Sequence, residues 1–210
     1  MYDFISDLDE YFCEKYANYD KLCVLPGYKM PTMQATEIRE DGQSYAYTLP
    51  ADTMRLARQE KKDELLTELK KRMIDKTFSF SFRPLNTFAR LKNLFSKYGF
   101  YKNFNKVLEK YKLTDEEVLS KLDITEEIWK GIRKNKFLPS KNLIFTFALS
   151  NHLGYDDTAA LLALCEYQFD YAMEKDVVVS YLLKEKIFNE DMLQAAFEEY
   201  KIDNLFFKKA

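Results

Sequence analysis

Five cations, Lys130, Arg133, Lys134, Lys136 and Lys141, fall between positions 130 and 141 with no acidic residue among them. Cations at that density suit phosphate, because each neutralised phosphate releases condensed counterions. Lys130, Arg133 and Lys134 stand at i, i+3 and i+4, so a helix carries all three on one face. Thr125, Glu126 and Glu127 come just before them, at the start of the same predicted helix. Carboxylates there meet phosphates and acceptor-rich base edges, where only the cytosine amine offers a donor. The segment has the charge to hold a nucleic-acid backbone and the wrong charge to read bases.

A second stretch, 88–112, interleaves Arg90, Lys92, Lys97, Lys102 and Lys106 with Phe95, Tyr98, Phe100, Tyr101 and Phe104. Lysine on phosphate and rings on bases is one use of such a mixture. Two amphipathic helices with the rings in the core and the lysines in water is the other. Both readings stay open. From Arg83 to Lys112 there are eight Lys/Arg against Glu109 alone, a net +7; residues 155–207 carry −8 and the first twenty carry −5. Over the whole chain the charge is −2, with a pI near 5.7, which speaks mildly against a protein built entirely around nucleic acid. A basic middle between acidic ends suggests a local anionic partner, or docking of the ends onto the middle.

Little else in the chain points to catalysis. His152 is the single histidine, at the end of an apolar helix where it is expected to be structural. Cys13, Cys23 and Cys165 form no CxxC pair, so no metal site is expected, and they fit a reducing cytosol as small core residues. No phosphate-binding glycine loop, GxSxG elbow or HExxH occurs. The carboxylate pairs Asp156-Asp157, Glu190-Asp191 and Glu198-Glu199 sit at predicted helix starts or exposed faces, where they complement the dipole or simply stay solvated. The expectation is a non-enzymatic protein without cofactor. With no basic-then-apolar leader at Met1 and no run of 18 apolar residues, a cytoplasmic protein that does not span a membrane is expected.

The elements that position these residues are mostly helical. Apolar residues make up 47% of the 210 residues and glycine and proline number five each, which favours long helices over turns. Residues 2–18 place Phe4, Ile5, Leu8, Tyr11, Phe12 and Tyr16 at helical spacing. Asp41-Gly42, between Thr36, Ile38 and Tyr45, Tyr47, predicts a β-hairpin. Pro50 opens a helix expected from Ala51 to about Lys76, with a polar centre and a Leu65, Leu69, Met73 stripe. Residues 77–82 alternate Phe with small polar residues, as a short strand or an aromatic linker, and Pro84 is expected to end them. Helices follow, the first marked by Phe88, Leu91, Leu94 and Phe95, the second by Phe104, Val107, Leu108 and Tyr111, with later ones near 141–153, 157–168, 176–186 and 189–200.

Residues 113–141 hold the densest local logic. Thr114 is a predicted N-cap with Glu117 as its capping-box partner, and Val118, Leu119 and Leu122 form the first helix's apolar face. Asp123-Ile124 makes the turn, Thr125 caps a second helix with Ile128, Trp129 and Ile132 inward, and Asn135 suits a left-handed C-cap. Two helices on so short a turn form the unit that presents one helix to a groove.

On these residues the chain resembles the lambda-repressor-like (Cro and Xre) helix-turn-helix family. It is similar, more closely, to a helical module found behind macrodomains in Gram-positive bacterial proteins, through T-D-x-E-V (114–118), I-R-x-N-K (132–136) and P-S-K (139–141). The similarity covers roughly 104–207. The chain departs from the DNA-binding pattern at Asp115, Leu119 and Asp123, where glutamine, alanine and glycine are usual, and at Glu126 and Glu127.

The fold implied is mainly α: a C-terminal helical bundle with a lambda-repressor-like helix-turn-helix (84–210), preceded by a small α+β N-terminal lobe with a β-hairpin (1–83). The function implied is a non-catalytic bacterial regulatory protein that docks on DNA or a partner protein. Lys130, Arg133, Lys134, Lys136 and Lys141 would hold phosphates, Lys102 and Lys106 would extend the footprint, and Thr125 would lie at the base edges. The alternative is a protein-interaction module of a stress or phage-defence system that keeps the scaffold without DNA binding, its basic segment covered by the acidic C-terminal helices. A third reading makes the N-terminal lobe a small enzyme or toxin, with a concave polar pocket. The oligomeric state stays open, a dimer being compatible with the resemblance.

Overall fold

The computed structural model describes residues 4–17, 24–28, 34–39, 42–48, 62–76, 82–96 and 99–208. Among them the chain is mainly helical, with ten helices and a small two-stranded hairpin. It divides into two compact units, residues 1–74 with 171–178, and residues 75–170 with 179–210; the division expected from the sequence lay at 83/84.

In the first unit, α1 (Phe4–Lys15) buries Leu8 and Phe12, and Tyr16 just beyond its end stacks on Phe12 at 4.8 Å. Tyr16 Oη donates to Glu174 Oε1 at 3.0 Å. Strands β1 (Gln34–Ile38) and β2 (Ser44–Thr48) pair antiparallel, with Glu37 opposite Tyr45 and Thr36 opposite Ala46. Thr36 and Ile38 therefore lie on one face and Tyr45 and Tyr47 on the other. Gly42 sits at φ 74°, the left-handed conformation its place in the turn requires, while Asp41 lies outside the described residues. Helix α2 (Lys62–Arg72) buries Leu65 and Leu69, and Met73 follows, so the expected stripe is present. The helix ends at Arg72 instead of Lys76; the expected portion 51–61 lies outside the described residues. Lys70, nearly buried, reaches Asp9 of α1 at 2.6 Å, which offsets the cost of desolvating its ammonium.

The second unit begins with β3 (Arg83–Pro84), which pairs antiparallel with β4 (Phe137–Leu138). Pro84, expected to end the aromatic stretch, is the last residue of this strand; residues 77–81 lie outside the described residues. A two-residue edge strand tolerates proline because the next amide, Leu85 N–H, supplies the bond, donating to Lys136 O at 2.8 Å.

The helices of this unit are α3 (Thr87–Phe95), α4 (Phe100–Lys110), α5 (Asp115–Lys121), α6 (Glu126–Arg133), α7 (Lys141–Ser150), α8 (Tyr155–Leu164) and α10 (Glu190–Glu199), with α9 (Glu174–Lys184) contributing from Val179 onward. The centre is aromatic. Trp129 of α6 meets Phe104 of α4 edge-on at 5.7 Å and Phe147 of α7 at 6.3 Å, all three buried. Helix α7 buries every side chain from Asn142 to Leu149, as a helix enclosed by its neighbours must.

Among the described residues six helices end on a non-glycine residue in the left-handed conformation: Lys112, Asn135, His152, Glu166, Lys186 and Lys201. After each, the next amide reaches back five residues, as in Leu113 N–H to Leu108 O and Ile187 N–H to Leu182 O. This closure satisfies orphan carbonyls, and the following residue is usually apolar and covers the end. The left-handed conformation costs a side-chain-bearing residue roughly 1–2 kcal/mol, less glycine's own entropic penalty. Lys112→Gly and Lys186→Gly are therefore each expected to stabilise the protein by about 0.5–1 kcal/mol, read as a higher urea midpoint.

Candidate nucleic-acid interface

Thr114 caps α5: its Oγ1 accepts from Glu117 N–H at 3.2 Å, and Glu117 Oε2 accepts from Thr114 N–H at 2.9 Å. The Thr114 N–H, and the Thr114 hydroxyl, which donates to Glu117 Oε2 at 2.9 Å, hold the Glu117 carboxyl below its usual pKa. Residues 122–125 connect α5 to α6, with Leu122 buried and Ile124 half-buried. The C-terminal tail covers this connection. Asp123 N–H donates to Phe206 O at 2.6 Å, Lys208 N–H to Lys121 O at 3.0 Å, and Leu122 bridges to Phe207.

Thr125, expected near base edges, is the α6 N-cap: its Oγ1 accepts from Ile128 N–H at 3.3 Å. Glu126 and Glu127 stand exposed in the first turn, where the helix dipole favours them. Glu126 pairs with Lys130 at 2.7 Å across one turn. Arg133 Nε bonds Asp115 at 3.0 Å, and its Nη1 also reaches Asn105. Two of the expected phosphate-binding residues are thus already matched by carboxylates. Lys134 and Lys136 flank Asn135, are exposed and have no ion pair among the described residues. Lys141, half-buried, lies over the Phe145 ring with Nζ 5.6 Å from the centroid. Lys102 and Lys106 are exposed on α4, opposite the buried Phe100, Phe104 and Leu108.

The two readings of the basic aromatic stretch separate at Gly99. In α4 Phe100 and Phe104 are core, Tyr101 is half-buried and Lys102 and Lys106 face water. In α3 no residue is buried: Phe88 is 78% exposed, Phe95 80%, Leu91 48% and Leu94 36%. Its polar side faces the unit instead, where Asn93 Nδ2 donates to Asn135 Oδ1 at 2.5 Å and Asn135 Nδ2 to Arg90 O at 2.9 Å. Periodicity marks an apolar stripe but does not say which way it points, and residues 42 apart in sequence decide this one. Lys97 and Tyr98 lie outside the described residues.

Among the described residues, acidic residues of 155–207 meet the basic segment at Arg83 and at Lys110. Arg83 pairs with Glu166 at 2.7 Å and also bonds Cys165 O, its guanidinium 5.0 Å from the Tyr167 ring centroid. Lys110 Nζ pairs with Asp157 at 2.6 Å, and Tyr111 Oη donates to the same carboxylate at 2.6 Å. Burial opposes ionisation of Asp157, but these two donors outweigh it and hold its pKa below the usual value. Asp157 is therefore a fastener between α8 and the end of α4. Burial pushes the Cys165 thiol up to about 12, far from a reactive thiolate. His152 is the left-handed cap residue of α7, and its ring stacks on Phe188 at 4.8 Å.

Among the described residues no group of three or more His, Cys, Asp or Glu converges as metal ligands would, and no helix is long and apolar enough to cross a membrane. A cavity in the second unit is lined by Phe100, Phe104, Leu122, Trp129, Phe147 and other apolar residues, with no titratable group. No family model matches this chain, and neither a curated protein nor a solved structure does.

Proposed function

We propose that the second unit is a non-catalytic docking module, lambda-repressor-like in its α5–α6 helix-turn-helix, that binds a partner protein and has lost DNA affinity. The pairing of the α6 cations carries this reading: Lys130 is matched by Glu126 and Arg133 by Asp115, so the face that would meet phosphate is near neutral. Thr125 is held in its capping bond, and the exposed Glu126 and Glu127 repel an anionic groove. On the resemblance alone, its setting would be a bacterial regulatory, stress or phage-defence system.

The exposed Lys102, Lys106, Lys134 and Lys136 favour the second reading, docking on the DNA backbone without base recognition. Fluorescence anisotropy of the protein with labelled random duplex DNA, titrated across salt, separates the two. The proposal expects no binding at low salt. Micromolar binding that falls steeply with salt would overturn it.

A further inference from the structure

We propose that the exposed apolar face of α3, with its cationic rim, docks an acidic amphipathic helix of a partner protein. Phe88, Leu91 and Phe95 recur at i, i+3 and i+7 with Leu94 beside them, all solvent-exposed. A helix normally turns such a stripe inward, and a contiguous exposed patch of this kind marks an interaction site. Here the Asn93–Asn135 and Asn135–Arg90 hydrogen bonds hold the polar side inward and so present the apolar side to solvent. The Asn86 side chain caps the helix start at 2.8 Å, which fixes the platform without a partner.

The rim identifies the occupant. Arg90 and Lys92 lie on α3 itself, at the two edges of the apolar stripe. No acidic residue occurs from 83 to 108 or from 130 to 141. Cations beside an apolar stripe of about two turns complement a helix with apolar residues at i, i+3 or i+4 and i+7 and carboxylates beside them. A second copy meeting α3 against α3 would set cation against cation. An anionic membrane would be met by a chain of net charge −2 with no long-range attraction to it.

This inference rests on the protein-binding reading of the same unit, yet the two fail separately: duplex binding defeats the first, and the experiment here defeats only the second. The probe is a fluorescein-labelled helical peptide with Leu and Phe at i, i+3, i+4 and i+7 and Glu and Ala elsewhere; the same peptide with Lys for Glu is the control. Its anisotropy is read with the full chain, with Phe88→Ala/Phe95→Ala and with Lys92→Glu. All three side chains are exposed, so the variants keep the fold, and far-UV circular dichroism checks it. Binding of the acidic peptide, absent for the lysine peptide and weakened about tenfold or more in each variant, is the expected result. No binding of the acidic peptide, or equal binding of both peptides, overturns the proposal. Phosphatidylserine vesicle binding or self-association lost in Phe88→Ala/Phe95→Ala, with the acidic peptide inert, also overturns it and gives the face to lipid or a second copy.

Discussion

Trp129→Ala is expected to destabilise the second unit by about 3–5 kcal/mol, the usual cost of removing a large buried aromatic. Trp129 is 2% exposed and touches the rings of Phe104 and Phe147, so its removal leaves a void among α4, α6 and α7 that these rings cannot close without leaving their packing. A loss of that size is a large fraction of a typical domain's stability. Trp129→Phe is expected to cost much less. It keeps a ring in place and deletes an indole N–H that is buried with no hydrogen-bond partner. Because Trp129 is the only tryptophan, urea unfolding is followed by far-UV circular dichroism. Equal midpoints for the alanine and wild-type chains would mean that α6 is not packed on this core.

Thr146→Val is the second large effect, about 1–3 kcal/mol. The two side chains have nearly the same shape, but the hydroxyl has two tasks. Thr146 Oγ1 accepts from Phe206 N–H at 3.0 Å and donates to Asn142 O at 2.8 Å, with Thr146 wholly buried. Valine removes this acceptor from the buried Phe206 amide. The tail that this amide anchors also bonds through Asn204 O to Asn142 Nδ2 at 2.9 Å and through Phe206 O to Asp123 N–H. Hydrogen exchange is therefore expected to speed up in residues 203–208 first and to spread to the α5–α6 connection. Unchanged exchange in the tail would show that the bond to Thr146 does not hold it.

What the sequence reveals here is whatever is decided within one helical turn. The Thr114–Glu117 box and the Thr125 cap each depend on residues three positions away, the left-handed Asn135 on the helix end it closes, and all three stand as expected. The Leu65, Leu69, Met73 stripe is buried because one face of one helix faces one core. The features that shape the candidate surface are decided at long range. Arg133 looks free beside Lys130 and Lys134 until Asp115, 18 positions earlier, folds against it. The orientation of α3 depends on Asn93 meeting Asn135, a pair no local periodicity reveals. Pro84 enters a strand only because Phe137–Leu138 comes alongside. The basic residues were legible as a group, but their partition into paired and open cations was not.

One comparison tests that partition directly. Asp115→Asn/Glu126→Gln/Glu127→Gln keeps the shape of all three side chains while releasing Lys130 and Arg133 from their carboxylates. Labelled random duplex DNA is titrated with this variant and with the wild-type chain at low salt. The wild-type curve is expected to be flat, and the variant to bind in the micromolar range with a steep dependence on salt. A variant that binds no more tightly than the wild-type chain would contradict it.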